Sequence, residues 1–157
     1  MKTLVIGLGN PILGDDGVGW RVVEEIARKT AEQPEVEVDC AALGGLSLME
    51  RLTGSERVIL VDSIFTGEKP IGTVSLFLLA ELPDLSSGHT TAVHDTSLRN
   101  ALNVGRCMNI PLPRDEEVRI VAIEAENIYD FSETLSAPVK AAIPHAVEAV
   151  LQLIQSQ

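Results

Sequence analysis

Short apolar runs alternate with amphipathic helical patterns along the whole chain, and this alternation limits the fold more than any other feature. Thr3-Leu4-Val5-Ile6, closed by Gly7, and Arg57-Val58-Ile59-Leu60-Val61-Asp62 read as strands buried on both faces. Val36-Glu37-Val38-Asp39 alternates in polarity, as a strand nearer a sheet edge does. Residues 73–79 and 118–123 complete five strands. Between the strands, Val18, Val22, Val23, Ile26 and Ala27 share one helical face behind Asp15 and Asp16. Leu46, Met49 and Leu52 follow the Gly44-Gly45 break. Leu98, Ala101 and Leu102, with Val104 a further candidate, follow a polar loop over 86–95. A final helix over 137–154 repeats apolar positions 139, 143, 147, 150, 151 and 154. Pro138 suits its first turn, whereas Pro144 lacks an N–H and is expected to kink or split it.

Strands separated by helices of this length need crossover connections, and these place helices on both faces of a sheet. The expected fold is therefore α/β: a three-layer α/β/α sandwich around a twisted, mostly parallel five-stranded sheet. One domain over residues 1–157 is expected, because this length supports a single core and no linker or repeat interrupts it. A hydrophobic content of 45% excludes a disordered chain. Twelve basic against 23 acidic residues give a net charge of −11, which disfavours any general nucleic-acid partner. No apolar run approaches the length of a membrane span, and the N-terminal stretch lacks a signal-peptide pattern. Cys40 and Cys107 stand apart from each other and from any CxxC pair, so a disulfide or zinc framework is not expected and a cytoplasmic setting is.

Ligands in such folds gather beyond the C-terminal ends of strands where strand order reverses. Right-handed crossovers from a central first strand give an opening order of 2-1-3. The first and third strands are then neighbours, and their ends bring the loop Gly7–Asp16 and Asp62 to one crevice. The loop opens Gly7-Leu8-Gly9, but Ile12 stands where a dinucleotide fingerprint needs its third glycine. Asp15 and Asp16 each suit a helix cap, and Asp15 taking that role leaves Asp16 free to face the crevice. Asp62 can serve the turn at Ser63 or the crevice. Both Asp16 and Asp62 are expected to be more exposed than the strands before them. Of three histidines, His145 lies in the last helix and His89 at a loop tip. His94 precedes a helix, in a loop able to reach the crevice as a ligand or to serve as a cap.

No Gly-x-Ser-x-Gly elbow is present, no His-Glu-x-x-His occurs, and no sequence signal pairs Cys40 with a histidine. Two carboxylates and one imidazole remain. Such a set can bind a divalent metal with positions open to substrate, or the two carboxylates can share a proton for acid–base work.

These residues resemble the hydrogenase maturation endopeptidases, which process nickel-iron hydrogenases. The likeness is carried by Leu4-Val5-Ile6-Gly7-Leu8-Gly9-Asn10, Gly14-Asp15-Asp16-Gly17-Val18-Gly19, Val58-Ile59-Leu60-Val61-Asp62, the segment from His94 to Leu102, Ile123-Glu124-Ala125-Glu126 and the proline-containing last helix. The resemblance implies a phosphorylase/hydrolase-like fold and removal of a C-terminal extension from the large-subunit precursor after nickel insertion. It implies that Asp16, Asp62 and His94 are the metal-binding and catalytic residues, with the nickel supplied by the substrate. Two departures stand out. Asp16 replaces a residue that is often Glu in relatives. The segment Asp39-Cys40-Ala41-Ala42-Leu43-Gly44-Gly45 is less glycine-rich directly after its Asp than the corresponding loop, which is associated with substrate recognition.

Two other readings compete. The opening Val5-Ile6-Gly7-Leu8-Gly9-Asn10-Pro11 is also similar to that of peptidyl-tRNA hydrolases, but those need a histidine in the loop that follows. Here the first histidine is His89, and the net charge of −11 opposes a tRNA substrate. A non-catalytic domain that senses a metal centre would share the same ligands without cleaving.

Overall fold

The computed structural model describes residues 2–42, 44–81 and 90–156, with the side chains of 90–97 outside that description. The chain runs β1 (Thr3–Leu8), α1 (Val18–Lys29), β2 (Val36–Ala41), α2 (Gly45–Leu52), β3 (Arg57–Ile64), β4 (Val74–Leu78), α3 (Thr90–Cys107), β5 (Val118–Glu124) and α4 (Ala137–Gln155). A short 3-10 turn, Gly14–Gly17, leads into α1. Among the described residues the strands form one sheet in the order β2-β1-β3-β5-β4. The opening order 2-1-3 is the one the crossover rule requires.

All neighbours are parallel except β4, which runs antiparallel to β5. The cause is local. Strand β3 ends at the C-terminal edge of the sheet, and residues 65–73 form no helix. Without a helical crossover the chain re-enters the sheet from the same edge and must run back.

Side-chain alternation along the strands divides the core in two. Leu4, Ile6, Leu8, Val58, Leu60 and Ile120 pack against Leu48 and Leu52 of α2 and Leu98 and Leu102 of α3. Val5, Ile59, Val61, Val121 and Ile123 pack on the other face against Val18, Val22, Val23 and Ile26 of α1 and Val139, Ala146, Val147 and Val150 of α4. Each large aliphatic side chain so buried contributes about 1.5–3 kcal/mol. The architecture is thus the three-layer α/β sandwich with a mostly parallel sheet.

Two local expectations fail, and the split that Pro144 allowed does not occur. Helix α4 runs through Pro144 as one element. Val139 and Ala142 before the proline, and Ala146, Val147 and Val150 after it, are buried, so both halves pack into the core, while the Lys140 carbonyl loses its helical donor on an exposed face. Helix α3 begins at Thr90, so His94 lies inside a helix rather than in a loop before it. Once Leu98, Ala101 and Leu102 anchor that helix, each earlier residue adds a backbone bond at little cost. Val104 is 53% exposed and outside the core, because it falls off the face that Leu98, Ala101 and Leu102 share. Among the described residues no helix is long and apolar enough to cross a membrane.

Candidate functional site

The loop that leaves β1 is shaped by close approaches that only glycine permits. Gly9 has φ +126°, and a Cβ there would lie 2.0 Å from the Asp16 carbonyl oxygen. Gly19 sits where a Cβ would lie 2.5 Å from the Val61 carbonyl oxygen and 2.6 Å from that of Leu8. The glycines therefore press the 3-10 turn and the start of α1 onto the ends of β1 and β3. Their spacing serves backbone packing.

That packing sets Asp16 above Ser63. The Ser63 hydroxyl donates to Asp16 Oδ1 at 2.9 Å, and the Asn10 amide donates to Asp16 Oδ2 at 2.8 Å. The Ser63 amide donates to Asp62 Oδ1 at 2.8 Å. One residue thus bonds both carboxylates, and Ser63 is itself only 2% exposed. These bonds orient both carboxyl groups from one residue.

Asp16 and Asp62 line one cavity of about 220 Å³ together with Gly9, Asn10, Leu13 and Ala42. Among the described residues no Lys or Arg lines it, and two carboxyl groups share its wall. Like charges in a small space favour uptake of a cation or a shared proton. A more open groove of about 710 Å³ lies between α1 and α4. Its walls mix Arg21, Arg28 and Lys29 with Glu24, Glu25 and Glu148, so it does not share the purely acidic ionisable lining of the smaller cavity.

The expected exposure holds for one acid of the two. Asp16 is partly exposed, whereas Asp62 is 5% exposed and as buried as the strand before it. Strand β3 continues for two residues beyond Asp62 and stays paired with β5, which covers that position. Alternation turns the Asp62 side chain toward the face that carries α2 and α3, the helix that contains His94. The His94 side chain and the whole of His89 lie outside the described residues. His145 is exposed on α4. Among the described residues no three metal-ligating side chains come together.

Asp15 does not cap α1. It is fully buried, and it accepts the Ser136 amide on Oδ1 at 2.7 Å and the Ser136 hydroxyl on Oδ2 at 2.8 Å. Ser136 is the N-cap residue of α4, so the first acid of the pair ties the loop after β1 to the last helix. Main-chain bonds reinforce the tie: Gly14 donates to Ser132, Asp15 to Asn127, and Ser132 to Ile12.

Sequence reasoning missed the bridging role of Ser63 and the bracing role of Glu124. Glu124 is 1% exposed and accepts the amide and hydroxyl of Thr66, fixing the chain just after β3. A polar residue next to Asp62 on an apolar strand was the available signal for Ser63. Cys40 is a poor nucleophile: burial first, then the charges of Glu24 and Asp39, push its thiol up to about 11.

Comparison with known proteins extends this picture. The hydrogenase maturation protease family model matches residues 20–153, which include Asp62 and His94 and begin just after Asp16. The chain is 26% identical over 155 residues to the hydrogenase expression/formation protein HupD of Rhizobium leguminosarum bv. viciae, covering 99% of this chain and 75% of that protein. It is 25% identical over 155 residues to the hydrogenase 2 maturation protease of Escherichia coli K12, covering 99% and 92%. The fold superposes on the [NiFe] hydrogenase maturation protease HybD of Thermococcus kodakarensis with a TM-score of 0.73 at 26% identity, over 98% of this chain and 99% of that one. The endopeptidase HybD of E. coli shares the fold with a TM-score of 0.77 at 24% identity, over 99% and 93%. A family match across most of the chain, joined to two carboxylates at the switch point of the sheet, leads to one conclusion: the chain belongs to the hydrogenase maturation protease family.

Proposed function

We propose that this protein is an endopeptidase that removes a C-terminal extension from the nickel-loaded large-subunit precursor of a nickel-iron hydrogenase. Asp16, Asp62 and His94 bind the nickel that arrives in the substrate. The observation that carries the reading is the pair of carboxylates, both bonded by Ser63 and lining one cavity at the C-terminal ends of β1 and β3. Two oxygens and one imidazole nitrogen form a borderline donor set that suits nickel or zinc better than magnesium, and three ligands leave positions open for the substrate's own donors. No serine or cysteine acts as nucleophile. Water attacks the scissile carbonyl, its proton passes to a carboxylate, and the leaving amine takes a proton as the C–N bond breaks. Selectivity follows, since a precursor without nickel lacks the ion that docks it.

The test is incubation of the purified protein with nickel-loaded and nickel-free precursors of the same organism, read by intact mass. Shortening at the C-terminus of the loaded form alone is expected. Binding without shortening would favour a sensing domain, and hydrolysis of a peptidyl-tRNA in its place would overturn the assignment. Nickel titration of the Asp16, Asp62, His94 triple alanine variant tests the ligand set separately, and uptake equal to wild type would remove it.

A further inference from the structure

We propose that Arg57 and Arg119 form a binding site for a small organic carboxylate, at the edge of the sheet opposite the cavity of Asp16 and Asp62. The strand register builds it. Thr3 is the partner of both Val36 and Arg57, so the first residues of β2, β1 and β3 stand in one row. Arg119, near the start of β5, is the partner of Ile59, two residues beyond Arg57 on β3. Alternation puts all four on the face of Val5, Ile59 and Val121, the one that α1 and α4 cover. A cavity of about 560 Å³ is lined by these four residues and by the end of α4.

Arg57 is 8% exposed. Its Nη1 donates to the Ile154 carbonyl at 3.3 Å, a long bond, and its Nη2 is buried with no hydrogen-bond partner among the described residues. A buried donor on a charged group is costly when left unpaired. The acids that line the cavity do not relieve it. Glu35 is exposed, and Arg114 holds the Glu117 carboxylate at 2.7 Å. Burial first, then repulsion from Arg119, pushes the Arg57 guanidinium below its ordinary value, and Glu117 offsets this only in part. An anion between the two guanidinium groups removes both penalties.

The walls set the class of ligand. Two carboxylate oxygens match paired guanidinium N–H donors. Val36 and Ile154 add apolar surface, which favours an organic tail over a bare ion. Glu35, Glu117 and the negative end of the α4 dipole oppose a second negative charge, so a monoanion fits better than a phosphate dianion.

The experiment titrates the purified protein with sodium butyrate, sodium formate and sodium phosphate, at an ionic strength matched throughout with sodium chloride. Calorimetry and the melting temperature are the readouts. Saturable binding of butyrate is expected, several-fold tighter than that of formate or phosphate, with a rise in melting temperature that chloride alone does not give. Arg119→Gln, at an exposed position, should keep the fold and bind butyrate roughly tenfold more weakly. Arg57→Met should abolish binding, and Arg119→Gln decides alone should that variant not fold. No saturable binding of butyrate by wild type, or equal binding by wild type and Arg119→Gln, overturns the site. Phosphate bound more tightly than butyrate overturns the carboxylate as its ligand.

Discussion

A fully buried carboxylate that accepts two bonds from one serine, as Asp15 does, behaves differently from a partly exposed neighbour facing a cavity. Asp16→Asn should abolish cleavage with little loss of stability, because its amide oxygen can still accept from Ser63 or Asn10. Asp62→Ala should abolish cleavage and also cost about 1–3 kcal/mol, since it leaves the buried Ser63 amide without its acceptor. Chemical denaturation measures the difference, and equal stability of the two variants would contradict the burial argument. Ser63→Ala removes the hydroxyl that orients Asp16, and kcat should fall about tenfold with nickel uptake retained. Complete loss of activity would mean that the hydroxyl itself reacts. Cys40→Ser should cut normally. At pH 7.5 a thiol pushed to about 11 stays protonated, so mass spectrometry after alkylation should find the exposed Cys107 modified well before Cys40.

Among the elements, α4 and the turn before α1 depend on each other. Asp15→Ala deprives Ser136 of both its bonds, leaves the cap of α4 without support and should cost about 1–3 kcal/mol. Thermal unfolding checks the stability, and nickel uptake checks the expected loosening of Asp16. Strand β2 shows a different kind of tie. Lys2 and Arg51 reach Glu37, and Arg51 also reaches Asp39, along an otherwise open sheet edge. The bond from Lys2, then that from Arg51, holds the Glu37 carboxyl below its ordinary value. A lowered folded value means that this contribution is present above the unfolded value and lost as pH falls through the folded one. Glu37→Gln should therefore flatten the acid limb of the stability–pH curve below about pH 4.5, an effect kept small by solvent screening. An identical acid limb in the variant would remove Glu37 from the account.

Over the whole molecule, the layers and the central strand order were readable because buried parallel strands announce themselves as apolar runs, and right-handed crossovers admit few orders. The reversal of β4 was hidden in a loop whose lack of a helix is a geometric fact with no distinct composition. Asp16 and Asp62 were readable as neighbours because they follow adjacent strands. The joining role of Ser63 was not, since it needs the height of the turn above the sheet, which glycine contacts with backbone carbonyls determine. Pro144 does not split α4, because propensity is local, while burial on both sides of it is not. Charge acts at this scale too. With a net charge of −11, repulsion among acids should weaken the fold at low salt, so the melting temperature should rise from 20 to 300 mM sodium chloride. A fall would mean that ion pairs such as those at the β2 edge outweigh the repulsion.

The clasp between Asp15 and Ser136 joins residues 121 positions apart in the chain. A nascent chain that has left the ribosome only as far as β5 already contains both cavity acids and Ser63. It lacks the clasp that seats the turn bearing Asp16. The turn that carries Asp16 is thus fully braced only when the final helix has been synthesised and docked, and a chain truncated before it holds Asp16 through Ser63 and Asn10 alone.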